Sequence, residues 1–412
     1  MIALCCQLCV LIGFRSTTSV LQCISDALGL DLPIPSHDAV RNWNCRNGVA
    51  ILHEPVSADD WIWLIDHSVQ LGKMFVLVVL GIRRSDLPEG RSLTRQDMSV
   101  LAVMPTQSRD KEEVSRQLQI VSNQFAKPMA VVCDGACELR EGVASLKDGV
   151  FKGICLSDVK HKLANLLKKE LGPQERWKEF ERQLGTTTAA IQQTEIEHWL
   201  PPRKKQKCRF MNFHCLMDWA VSVELELTTR SPSLRLIEKL GWLSEFTEDL
   251  KEWQQVRGMI GVVLRQANEQ GVWIGASEQL RAELMAMPAQ SDWCQQMRER
   301  MIEIVASNES QLKQLEIDDL RLPCSTEVLE SGFGAFKALQ RHHNRGTFTT
   351  LLATFATLFD KCTPEKIRER LTQVSNQDLR NWLQSSGLTN STQARRVMVR
   401  AKSQRKTTFS SD

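Results

Sequence analysis

Residues 61–171 alternate short apolar runs with amphipathic stretches, in an order that few sheets can satisfy. Residues 61–66, 74–82 and 100–104 read as strands with no helix between them. A helical pattern follows over 111–124, then a strand at 129–134, a helix at 138–146, a short strand at 153–156 and a helix at 159–171. Strands joined directly tend to pair antiparallel, whereas parallel strands need a crossover, usually a helix. The pattern therefore predicts one mixed five-stranded sheet flanked by helices.

Three strands followed by helix, strand, helix, strand, helix is the order of a ribonuclease H-like α/β core. With 412 residues, 42% of them hydrophobic, the chain can bury two or three cores. Residues 1–56 read as helical: a helix over 19–28, a turn containing Gly29, Pro33 and Pro35, then Ser36 as the cap of a helix through Trp43. That punctuation fits a helix-turn-helix and equally a plain helical hairpin. In the first case His37, Asp38, Arg41 and Asn42 line the exposed face of the second helix, where Arg41 and Asn42 address base edges. Residues 57–172 make the first part of the core. Residues 173–322 hold seven of the 11 Trp and almost no strand pattern, and read as an all-helical insertion. Core helices resume over 323–362, and 363–412 form a helical tail with a basic end.

Composition excludes several function classes. The chain has no Tyr, so mechanisms that pass through a covalent phosphotyrosine are closed to it. The 52 basic and 49 acidic side chains leave a net charge of only +3, so a nucleic-acid role has to rest on local basic patches. The 13 Cys lack the paired spacing of a zinc finger and read as reduced thiols of a cytoplasmic protein. Residues 1–14 are apolar but have no Lys or Arg ahead of the run, so they read as an inward-packing helix rather than a signal peptide. No apolar run reaches the roughly 18 residues of a membrane span, so no membrane partner is expected.

Asp66 and Asp134 each close an apolar strand, a costly place for an acid unless something uses it. Either one alone suits a turn cap. Together, at neighbouring strand ends, they form the oxygen-rich edge that Mg2+ prefers. Glu327, Glu330 and Lys337 follow helical spacing and share one face of a helix that also carries Phe333 and Phe336. From that helix a glutamate can complete a metal site. Five of the seven residues 203–209 are basic: Arg203, Lys204, Lys205, Lys207 and Arg209. The run is either a solvated loop or a phosphate contact. Trp199 beside it is either part of a core or a stacking platform for an unpaired base.

These residues and their surroundings resemble the DDE transposases of bacterial insertion sequences. The matching stretches are WLIDHSVQLG around Asp66, CDGACELREGV around Asp134 and STEVLESGFGAFKALQ around Glu330. Asp158 followed by His161 matches a signature of several DDE superfamilies, including the hAT and Mutator-like ones. The 196-residue gap between Asp134 and Glu330 matches members with a helical insertion. The resemblance implies that Asp66, Asp134 and Glu330, with Glu327 as the alternative glutamate, bind two Mg2+ ions, for which Mn2+ can substitute. Asp158, His161 and Lys337 would support the site. Cleavage and strand transfer would proceed by in-line displacement without a covalent intermediate. Element ends and target DNA would be the partners, bound by a homodimer or larger assembly at the bacterial nucleoid. Two alternatives stand beside this: a decayed transposase that binds DNA without catalysis, and a ribonuclease H-like nuclease without strand transfer.

Overall fold

Five strands form where the alternation predicts them: β1 (Trp61–His67), β2 (Phe75–Arg83), β3 (Ser99–Thr106), β4 (Ala130–Cys133) and β5 (Ile154–Ser157). In the computed structural model, which describes residues 1–67, 74–146, 153–202, 210–229, 232–317, 319–342 and 348–388, they join in the order β3-β2-β1-β4-β5. β1 pairs antiparallel with β2 and parallel with β4, and β2 pairs antiparallel with β3. This is a mixed five-stranded α/β sheet, consistent with a ribonuclease H-like core. The basic residues Arg203, Lys204, Lys205, Lys207 and Arg209, and the tail from 389 onward, lie outside the described residues.

Helices α1 (Ile2–Ile12), α2 (Phe14–Leu28) and α3 (His37–His53) precede the sheet, α4 (Lys111–Phe125) and α5 (Cys137–Ser145) connect its strands, and α6 (Val159–Glu170) follows β5. Asp110 starts α4 by accepting from the Glu113 backbone N–H at 2.9 Å. One face of the sheet, with Trp63, Ile65, Leu77, Val79, Val131 and Cys133, packs with Val114, Leu118, Val121 and Phe125 of α4 and Leu139 and Val143 of α5. Residues 61–65 of β1 are all buried, as a strand covered on both faces has to be.

Among the described residues the chain divides into two compact units, one of residues 1–88, 93–155 and 326 onward, the other of 89–92 and 156–325. The second unit contains α6, α7 (Glu175–Ile191), α8 (Phe213–Thr229), α9 (Leu234–Leu240), α10 (Thr247–Arg265), α11 (Ala276–Met285) and α12 (Asp292–Leu312). Its core is aromatic: Trp177 meets Trp253 edge-on at 4.9 Å between centroids, and Phe180 meets Phe246 at 5.4 Å. α6, grouped by sequence with residues 57–172, belongs here because Val159, Leu163, Leu166 and Leu167 are buried and the helix packs on α10 and α12.

The first unit resumes with α13 (Glu327–Arg341), α14 (Phe348–Leu351), a 3-10 segment (Leu352–Leu358), α15 (Pro364–Gln373) and α16 (Asn376–Ser385). The 3-10 segment, α15 and α16 pack on α3, which runs to His53 rather than ending at Trp43. The extension is held by burial: Asn44, Cys45 and residues 47–52 are covered, and Arg46 donates to the carbonyls of Val374 and Leu371 at 2.7 and 2.6 Å. The connection from α2 to α3 spans residues 29–36, longer than the 3–4-residue turn typical of a helix-turn-helix. α1 packs inward through Cys5, Cys6 and Cys9, as its apolar sequence predicts.

Gly48 sits where α3 crosses the 3-10 segment, and a Cβ there would lie 1.9 Å from the carbonyl oxygen of Ala353. Backbone cannot yield as a side chain can, so Gly48→Ala should destabilise the chain by about 1–3 kcal/mol in urea unfolding. A second clamp joins the same elements. Buried Arg370 holds Glu54 at 2.5 and 2.7 Å and Asp360 at 2.7 Å. Burial alone would raise the Asp360 carboxyl, but the hydrogen bond and charge of Arg370 outweigh it and hold its pKa at about 2. The unfolded value is about 3.9, so this stabilisation is complete above that pH and lost as pH falls towards 2. The drop in urea midpoint between pH 5 and pH 2.5 should therefore be smaller for Asp360→Asn than for the parent chain.

Candidate active site

The parallel pairing of β1 with β4 aligns Ile62 with Ala130, Trp63 with Val131, Leu64 with Val132 and Ile65 with Cys133. The next residue on each strand is an aspartate, so Asp66 and Asp134 stand at the same level, on strands about 4.8 Å apart. Ile65 and Cys133 belong to the core under α4 and α5, and strand alternation puts Asp66 on the other face. Both aspartates are half-buried. Asp134 also closes a turn: its Oδ1 accepts from the Ala136 N–H at 2.8 Å, and Gly135 supplies the positive φ of 85°. That bond accounts for one carboxylate oxygen.

His67, one residue beyond Asp66, alternates back to the first face. Its Nε2 is buried with no hydrogen-bond partner among the described residues. Burial holds the imidazole below its usual range; Glu138 and Asp134 oppose this and Arg109 reinforces it. Arg109 lies 4.0 Å from Glu138 and 5.1 Å from the centroid of the Phe75 ring. Arg109 and Glu138 are neighbours that the sequence did not single out. Glu138 had a signal, as the acid in the first turn of the helix after Asp134, but Arg109 precedes α4 in a polar loop with no pattern.

α13 buries a stripe of Val328, Leu329, Gly332, Phe333, Phe336 and Leu339, of which Gly332, Phe333 and Phe336 meet Phe355 and Phe359, and it also contacts β1. A Cβ at Gly332 would meet the Phe359 ring at 2.2 Å, so this glycine sets the close approach. Glu327 and Glu330 are half-buried in its first turn, off the buried stripe, and Lys337 is exposed on their side. Among the described residues no three His, Cys, Asp or Glu side chains form a group able to hold a metal ion. The strand register brings two aspartates level at adjacent strand ends.

Asp158 and His161 belong to the helical unit and have a structural role there. Asp158, 1% exposed, is the N-cap of α6: its Oδ1 accepts from the His161 N–H at 3.0 Å, and Oδ2 lies 3.2 Å from His161 Nδ1. The three-residue spacing is that of a capping bond. Trp199 is half-buried in a 3-10 turn, and its carbonyl accepts from Trp219 Nε1 at 2.8 Å. Arg41 and Asn42 are partly exposed near the start of α3, with Arg41 paired to Asp38 at 2.9 Å.

The same unit carries an open groove of about 1050 Å³ beside α6 and α12, lined by Lys162, Lys169 and Arg300 together with Asp292, Glu299 and Glu303. Its charges are mixed and single out no ligand class. No described helix is long and apolar enough to cross a membrane.

No family model matches this chain, and no curated protein matches it. Among solved structures it is similar to the Drosophila P element transposase strand transfer complex, with a TM-score of 0.47 and 13% identity over 89% of this chain and 92% of that one. A likeness at that level assigns this chain neither residues nor activity.

The capping role has its own test. Asp158→Ala should cost about 1 kcal/mol through loss of the cap, while Asp158→Asn should retain most of it. Thermal unfolding of the two variants separates a cap from a purely chemical role, which would leave both at the parent midpoint.

Proposed function

We propose that this chain is a transposase-type DNA-processing protein of the DDE class in which Asp66 and Asp134 are two of the metal-holding carboxylates. The observation that carries this reading is the β1–β4 register, which sets two acids side by side at the ends of adjacent parallel strands in a mixed five-stranded sheet. Carboxylates so placed suit a hard divalent cation such as Mg2+ or Mn2+. A cation bound there would stabilise the charge that develops in phosphoryl transfer. Glu330, with Glu327 one turn earlier as the alternative, is the proposed third carboxylate.

DNA is the proposed partner, bound by a homodimer or larger assembly. Arg41 and Asn42, Trp199, and the basic residues Arg203, Lys204, Lys205, Lys207 and Arg209 are the proposed contacts, with Asp158, His161 and Lys337 supporting. Phosphate contacts from the basic run would give a salt-dependent affinity.

A second reading, a DNA-binding protein without catalysis, is favoured by one observation: no three metal-ligating side chains gather among the described residues. One experiment separates the two. The parent chain, Asp66→Asn and Asp134→Asn are compared for nicking of supercoiled plasmid with Mg2+ or Mn2+, for plasmid binding by gel shift, and for melting temperature. The catalytic reading expects nicking by the parent alone, with binding and melting preserved in both variants. Binding without nicking in the parent establishes the second reading, and nicking that survives both substitutions removes the aspartates from the chemistry.

A further inference from the structure

β3 is an outer strand of the sheet, bonded to β2 alone. The phase of the ladder shows which of its backbone groups are left over. The Arg84 N–H bonds the Asp60 carbonyl at 3.2 Å, in continuation of the β1–β2 register, so residues 78, 80 and 82 direct their backbone groups to β1 as Arg84 does. Leu77 and Val79 then turn to β3, where they meet Met104 and Ala102. Val103 and Pro105 alternate with those two and direct theirs away from the sheet. A proline, with no N–H to give, belongs at such a position. Among the described residues no backbone group outside the sheet bonds to either.

That edge is the floor of a cleft of about 570 Å³. One wall is α4, with Gln117, Ile120, Val121 and Gln124; the other is made by Leu52 and His53 at the end of α3 and by Trp382 and Gly387 in and after α16. Ile120, 43% exposed, is the large apolar side chain of α4 that stays open, and it stands in this wall. The wall's cation, Arg116, is held by both carboxylate oxygens of Glu113 at 2.8 and 2.7 Å, so it opposes a basic segment little. A free strand edge between two walls that carry apolar side chains takes up an extended segment as a further strand.

The described chain itself arrives at this cleft. Leu388 is buried, its N–H bonds the Leu383 carbonyl at 2.8 Å, and Gly387 before it lines the cleft, so the chain continues from the rim. Beyond it lies Arg395-Arg396-Val397-Met398-Val399-Arg400, a strand-favouring run without proline, in which every residue has an N–H to donate. The ten residues 389–398 reach up to about 33 Å when extended, and a strand as long as Leu101–Pro105 covers only about 17 Å. The run is within reach of the whole edge.

We propose that residues 396–400 of the same chain dock in this cleft as a sixth strand along β3. The Val103 N–H donates to the segment, and the Val103 and Pro105 carbonyls accept from it. Strand alternation sends Val397 and Val399 to one wall and Met398 to the other, where Ile120 and Trp382 offer apolar surface. The docked segment closes an edge that would otherwise be a template for other chains, and it fixes Arg396 and Arg400 beside the cleft. None of this depends on the aspartates being catalytic.

The test is hydrogen–deuterium exchange of the full chain, read by mass spectrometry on peptides covering 99–106 and 394–402, at two concentrations whose oligomeric state is measured by light scattering. Met398→Pro removes the central N–H of the segment, and Ile120→Asp puts a charge in the wall at an exposed position. The expected result in the parent is exchange over 396–400 slowed about tenfold or more from the unstructured rate, equally at both concentrations. Ile120→Asp should abolish that slowing, and Met398→Pro should free one further amide, that of Val103, in the 99–106 peptide. Should Ile120→Asp change the circular dichroism spectrum, Met398→Pro and its effect on β3 decide the matter, with Thr407→Pro as the control outside the segment. Unslowed exchange over 396–400 in the parent, or an unchanged β3 peptide in Met398→Pro, overturns the proposal. So does slowing confined to the concentration at which the chain is dimeric, which gives the edge to a second copy.

Discussion

Everything in the first unit depends on β1 being paired on both sides, antiparallel to β2 and parallel to β4. A strand in that position has no solvent-facing edge, so every backbone donor and acceptor along its paired stretch is used within the sheet. Its two faces are covered as well, so Trp61, Ile62, Trp63, Leu64 and Ile65 are all apolar and buried. The parallel partner brings the helical crossover, since two parallel strands cannot be joined by a tight turn. It also brings the two aspartates level. An antiparallel β4 would have carried Asp134 towards the opposite end of β1, so the acid pair follows from the direction of one strand.

The helical part of the same unit rests on contacts between residues far apart in sequence. α3 is the hub: Gly48 lies against Ala353, Arg46 caps carbonyls of residues 371 and 374, and Glu54 at its end is held by Arg370. An isolated helix with the composition of α3 would be marginal, because most helical stability in proteins comes from packing. Its C-terminal half exists because a 3-10 segment and two helices from the other end of the chain enclose it. Arg370, with Glu54 and Asp360 on its guanidinium, is a buried charge made tolerable by complete pairing.

The strands, the helices between them and the helical character of the region after 172 were legible in the sequence, because period-2 and period-3.6 patterns are local properties. The aspartate pair was legible for the same reason: both acids end apolar strands, and the strand order limits how those ends can meet. The side on which α13 meets its neighbours was not. Glu327 and Glu330 follow helical spacing, but which way a helix turns its stripe is set by what it packs on, here Phe355 and Phe359 beneath Phe333, Phe336 and Gly332. Asp158 and His161, whose spacing resembles a chemical signature, also meet at a helix start.

By itself, then, the sequence determined the strand and helix segments, the mixed sheet and the presence of two acids at strand ends, since each follows from the alternation of neighbouring residues. Tertiary structure decided how far α3 runs, which unit α6 joins, which side of α13 meets its neighbours and which elements flank the edge of β3. Those outcomes depend on close packing between segments up to hundreds of residues apart, where the shape of one surface selects the other. No local pattern encodes such a contact, because neither half has a preferred environment until the other is in place.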